Sequence, residues 1–207
     1  MNIVTGSLIR RAAVVILGLT ASTSLLADPP AYTPVAAQSS VSFVGTQQGE
    51  KFTGAVRDFD ARIAFSPDQI GAGRIDVTIR MRGLSTSSQE RDSTLAGAEW
   101  FDFAHYPTAT FHATALRAAP GGEVGDGELT IKGHTKHFAF PFTWRPAGAG
   151  ATLDARVTLD RLDYAIGTGE WTDDSIVARK VDVIVHLVLA PALGPSPPAA
   201  AATPRRN

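Results

Sequence analysis

No cysteine occurs in the 207 residues. That excludes a disulfide scaffold and an acylated cysteine anchor, so stability has to come from burial alone. An excess of charge of one sign is lacking too: 19 Lys and Arg stand against 20 Asp and Glu. Arg10 and Arg11 are the only charges ahead of Asp28, so the chain from Asp28 onward has 17 basic and 20 acidic residues, a net charge of −3. Such a surface gives no electrostatic reason to hold nucleic acid or anionic head groups. One apolar run, Ala12 to Ala21, follows Arg10-Arg11 and leads to a small-residue cleavage site at Leu25-Leu26-Ala27. It is too short for a stable membrane span, and residues 1–27 read as a secretory signal peptide.

Catalytic signatures are missing as well. There is no Gly-x-Ser-x-Gly elbow, and the five His stand scattered at 105, 112, 134, 137 and 186. A Ser/His hydrolase needs nucleophile, base and orienter together. His134-x-x-His137 flanks a turn without a third spaced ligand, and so reads as two exposed residues rather than half a metal site. Asp173-Asp174 lacks the twelve-residue oxygen pattern of a calcium loop and reads as a solvated acidic turn. The residues expect no catalysis, no metal and no cofactor.

What is present is strand periodicity. Ile75, Val77, Ile79 and Met81 alternate with Arg74, Asp76, Thr78 and Arg80. Phe59, Ala61, Ile63 and Phe65 share a phase within Lys51 to Phe65, and Phe111, Ala113 and Ala115 share another. Leu153, Ala155, Val157 and Leu159 alternate with Thr, Asp and Arg, while Val181 to Leu189 is apolar at nearly every position, which suggests cover on both faces. The strongest signal is the hairpin around Lys132-Gly133-His134. Its second arm puts Phe138, Phe140, Phe142 and Trp144 on one face and His137, Ala139, Pro141 and Thr143 on the other. One short helix is expected from Glu90 to Ala96, capped by Ser87 or Ser88 and ended by Gly97. Pro191 to Asn207 is Pro/Ala-rich and reads as a disordered tail.

About eight strands joined by short turns predict one all-β domain over 28–190, a sandwich or barrel, with the alternation favouring an antiparallel barrel. Periodicity alone leaves its hydrophobic interior either filled by side chains or open to one ligand.

Several segments in order resemble the YceI-like family. They are Ser42-Phe43, Phe52-Thr53-Gly54, Leu84-Ser85-Thr86 with Glu90-Arg91-Asp92, Trp100-Phe101-Asp102 with Tyr106-Pro107, Gly127 to Gly133, and Arg161-Leu162-Asp163-Tyr164 with Gly169-Glu170-Trp171. Tyr106 and Trp100 stand where that family more often has Phe, and both keep an aromatic ring. The resemblance implies an eight-stranded lipocalin-like β-barrel with one short helix, in a periplasmic protein. It implies binding, storage or transport of a long apolar lipid: a polyisoprenoid, an isoprenoid quinone or a fatty-acid derivative. It also allows a homodimer and transient contact with a membrane or a membrane redox protein. The alternatives are a solid-core interaction module of the cell envelope and, further off, a lipid-modifying enzyme.

On this reading the barrel lining comprises Phe43, Ile75, Val77, Ile79, Met81, Trp100, Phe101, Phe111, Phe138, Phe140, Phe142, Trp144, Val157, Leu159, Trp171, Val183 and Val185. Trp100, Phe101, Phe103 and Trp171 adjoin loops and are candidates to gate a mouth. Arg91 and Asp92 either contact a ligand head group or close the barrel end.

Overall fold

The computed structural model describes residues 28–192; the expected signal peptide, and the tail from 193 on, lie outside the described residues. Eight antiparallel strands run up and down. They are β1 (Ala31–Pro34 and Ser40–Gln47), β2 (Glu50–Val56 and Phe59–Ala64), β3 (Arg74–Arg80 and Leu84–Ser85), β4 (Thr108–Ala119), β5 (Gly122–Ile131), β6 (His134–Ala147), β7 (Gly150–Asp160) and β8 (Lys180–Pro191). Each pairs with the next, and β8 returns to β1, so the sheet closes into a barrel. Among the described residues the β6–β7 seam is paired only between Thr143–Ala147 and Gly150–Asp154, so His134–Phe142 and Ala155–Asp160 have no ladder partner on their facing sides. Strand β8 continues through Pro191, one residue past the expected domain limit.

The first three strands are each interrupted, and two of the interruptions answer each other. Arg57 N–H donates to Gly83 O (2.8 Å) and Arg80 N–H to Asp58 O (2.9 Å), so the backbone groups freed by the breaks pair across strands. Gly83 is needed there because a Cβ would sit 2.6 Å from that of Asp58. Above the break, residues 50–54 pair with β1 only. A short helix, α1 (Gln89–Leu95), lies at this end, with the Arg91 guanidinium 4.8 Å over the Phe52 ring. Ser88 Oγ accepts the Arg91 N–H as the expected cap.

The β5–β6 hairpin turns on Lys132-Gly133, both with positive φ (49° and 74°), the twist that suits a two-residue turn. Strand β4 departs from its expected phase. A bulge between Ala113 and Ala115 shifts the register, so Leu116 is buried and Ala115 exposed. Strand β8 is not covered on both faces: Asp182 and His186 make outer-face hydrogen bonds, and His186 is exposed.

Filling varies along the barrel axis. At one end, Ile63, Phe65, Ile75, Phe142, Trp144, Leu153 and Leu189 form a packed floor, with Phe65 fully buried. Phe65 meets Trp144 at 4.8 Å and Phe142 at 5.8 Å between ring centroids, and Tyr32 stands edge-on to Trp144 at 5.2 Å. At the other end, Leu95, Trp100, Tyr164, Ile166 and Val177 form a second cluster made by α1 and the loops.

Candidate functional site: a hollow upper barrel

Between floor and lid the inward side chains do not fill the barrel. Val77, Ile79, Phe138, Phe140, Val183 and Val185 point inward yet are only half-buried, because they face open space instead of one another. The space is a cavity of about 240 Å³. Its walls are apolar, and the lining side chains that carry a nitrogen or oxygen are Trp100, Arg161 and Tyr164 near the lid. At roughly 30 Å³ for each packed water-sized group, it encloses on the order of 8 methylene-sized groups.

The structure divides the expected lining. Phe43, Ile75, Val77, Ile79, Met81, Trp100, Phe101, Phe111, Phe138, Phe140, Leu159, Val183 and Val185 border the cavity. Phe142 and Trp144 do not. They belong to the floor, held there by Phe65 and Tyr32, so the aromatic stripe of β6 is half wall and half core. Val157 is buried in β7 without reaching the space. Trp171 lies in the lid, edge-on to Trp100 at 5.6 Å, and its Nε1 donates to Glu99 Oε2. The two remaining rings of the stripe pack with Phe111, at 5.9 Å for Phe138 and 5.5 Å for Phe140.

Arg91 and Asp92 do not border the cavity; they fasten α1 to the barrel end. Asp92 accepts from Thr86 N–H (2.7 Å), Thr86 Oγ1 (2.6 Å) and Ser85 Oγ (3.2 Å). The Thr86 hydroxyl bond above all holds the carboxyl below its usual pKa, against the opposing cost of burial. His134 and His137 are exposed, and Asp173 accepts the Ser175 N–H in a surface turn.

Three features were not singled out from sequence. Gly45 and Gly54 each face a ring on the neighbouring strand. A Cβ at Gly45 would sit 2.6 Å from Phe52, and one at Gly54 would overlap Phe43, so these glycines let both rings lie flat along the wall. Arg161, 3% exposed, is the hub of the lid. Nε donates to Ala178 O, Nη1 to Ile166 O and Gly167 O, and Nη2 to Trp171 O and Val177 O. All five donors of the guanidinium are used. Gly167, at φ 71°, admits it where a Cβ would collide. Neighbouring Asp160 is bound instead by Arg179 (2.8 Å) and Lys180 (3.4 Å), and burial lowers the Arg161 pKa. Lys132 is the third: its Nζ donates to Ala98 O and Ala165 O, both at 2.8 Å, joining the hairpin turn to both lid loops, and burial lowers its pKa too. The signals for Arg161 and Lys132 lay inside the family-like segments, where each looks like an ordinary surface charge.

Fold and site together define an antiparallel β-barrel with an apolar interior cavity, floored by aromatic packing and lidded by a short helix and two loops. The chain belongs to the YceI-like domain family, whose model matches residues 32–189. It is 36% identical over 143 residues to protein YceI of Escherichia coli O157:H7, across 65% of this chain and 71% of that one. It spans 62% of the length of a matching Pseudomonas putida relative. Among solved structures, BcnA of Burkholderia cenocepacia superposes with a TM-score of 0.72 at 35% identity, covering 75% of this chain and 98% of that one. A polyisoprenoid-binding domain from Saccharophagus degradans shares the fold, with a TM-score of 0.62 at 15% identity over 79% of this chain and 99% of that one.

Proposed function

We propose that this protein is a non-catalytic periplasmic carrier or store for a long apolar chain, held inside the upper barrel. The observation that carries this reading is the open, apolar-walled cavity between a packed floor and a lid. A polyisoprenoid, an isoprenoid quinone or a fatty-acid derivative fits its chemistry, and the fold shared with a polyisoprenoid-binding domain is in keeping. The leader-like residues 1–27 support export, and the extended barrel leaves room for a homodimer or for transient docking to a membrane or membrane redox protein. A solid-core interaction module would need that space filled.

The energetics suit a carrier. Enclosing about 8 methylene-sized groups at ~0.8 kcal/mol each gives roughly 6 kcal/mol, set against association costs of roughly 4–15 kcal/mol, which leaves a bound chain able to exchange. The tail therefore supplies most of the affinity. A chain much longer than the cavity has to leave its excess outside, so affinity levels off with length.

Organic extraction of the natively purified protein followed by mass spectrometry tests the reading. A reproducible lipid is expected, and Phe140→Asp is expected to abolish its retention. A reproducibly empty extract from the native host, or full retention by a folded Phe140→Asp variant, would overturn it.

A further inference from the structure

Trp100 borders the cavity at its lid end and is 9% exposed. Among the described residues, its Nε1 is the buried side-chain polar atom left without a hydrogen-bond partner. A buried donor left unpaired forfeits its hydration with nothing in return, and a phenylalanine would fill the same place without that loss. Two neighbouring donors, on Arg161 and Trp171, are engaged elsewhere. Arg161, 5.8 Å from the Trp100 ring, spends all five N–H groups on backbone carbonyls, and Trp171 Nε1 bonds Glu99. The floor at the opposite end is closely packed carbon, where a polar group would be stranded.

We infer that Trp100 is a specificity-determining contact: its indole N–H donates to an oxygen acceptor at one end of the bound chain. The inference rests on the carrier reading and sharpens it. The ligand is an apolar chain ending in a carbonyl-type oxygen, a ketone, quinone or carboxylate, rather than a plain hydrocarbon. That oxygen lies against the lid and the tail runs toward Phe65 and Trp144. The nitrogen is enclosed while its ring borders the space, so the contact requires the indole to turn toward the ligand. The guanidinium of Arg161, 5.8 Å from the Trp100 ring, favours an electron-rich atom there.

The test compares methyl tridecyl ketone with pentadecane, chains of similar length, with palmitate as the carboxylate arm. Each competes with a fluorescent long-chain probe for the full chain. Proton–nitrogen correlation spectra follow the indole N–H signals of Trp100, Trp144 and Trp171. The ketone is expected to move the Trp100 signal downfield and pentadecane to leave it. Trp100→Phe is expected to weaken the ketone about 5- to 10-fold, the worth of one hydrogen bond, with pentadecane unchanged. A palmitate shift alone assigns the acceptor to a carboxylate. If that variant fails to fold, which the other two indole signals report, the wild-type shift decides by itself. If all three chains bind and the Trp100 signal stays put, this inference falls while the carrier reading stands. If none of the three displaces the probe from the wild-type protein, both fall.

Discussion

Trp171 donates its indole N–H to Glu99 Oε2 at 3.0 Å, while the backbone oxygen of Glu99 accepts from Gly167 N–H (2.8 Å) and Thr168 N–H (3.0 Å). The two lid loops, separated by the whole β4–β7 meander in sequence, therefore meet at one residue over the cavity. Glu99 is exposed and Trp171 half-buried, so the side-chain bond sits at the rim, where water competes for it.

Glu99→Ala removes the side-chain latch and keeps the backbone bonds. Release of a fluorescent long-chain probe, followed by stopped flow, is expected to accelerate several-fold. Stability is expected to fall by about 1 kcal/mol or less. An unchanged release rate would mean that the ligand leaves by another route, for instance beside residues 50–54.

Arg161→Lys puts three donors where five are used, and a single point where a planar fork is needed. At least two of the carbonyls of Ile166, Gly167, Trp171, Val177 and Ala178 lose their partner. The expected cost is about 3–5 kcal/mol, read from chemical denaturation, together with faster hydrogen exchange across the lid.

Phe140 and Phe142 lie two residues apart on one strand face, in different surroundings. Phe142→Ala empties part of a packed floor and is expected to cost about 3–5 kcal/mol. Phe140→Ala removes a ring that already faces open space and is expected to cost clearly less while enlarging the cavity. Equal losses in denaturant midpoint would show that the cavity is closed in solution.

Gly54→Ala drives a methyl group into the Phe43 ring and displaces it into the cavity. A loss of about 1–3 kcal/mol is expected, typical of overpacking, along with weaker binding of long chains. Binding at wild-type strength would place the ligand away from the β1–β2 wall.

Asp92 sets an acid limit. Its carboxyl is held below the usual range, chiefly by the Thr86 hydroxyl. A folded pKa lower than the unfolded one, about 4, gives stability that is complete above that value and is lost as pH falls through the folded pKa. Denaturation midpoints are expected to drop below about pH 4, and Asp92→Asn is expected to lower stability at neutral pH and flatten part of that drop. A variant with the wild-type acid profile would mean that other carboxylates set the limit.

Most of the barrel was legible from the chain. Alternation in Ile75–Met81 and Phe138–Trp144 named the inward faces correctly, because side chains on a strand take opposite sides whatever surrounds them. Three things escaped it. The bulge in β4 changed phase between Ala113 and Ala115 with no Gly or Pro to mark it. Arg161 looked like any surface arginine, because its partners are carbonyls of a loop up to 17 residues away. The difference between Phe140 and Phe142 left no trace either.

The sequence by itself determined an all-β domain, one short helix and an aromatic strand face, since period, caps and turn residues act over a few positions. Only the tertiary structure decided how far up the barrel that face is filled. Phe65 and Tyr32 come from distant strands to cover Phe142 and Trp144, whereas Phe138 and Phe140 meet Phe111 and still border the open space. Whether an inward ring is core or wall depends on what stands opposite it, a property of strand closure that no local pattern encodes.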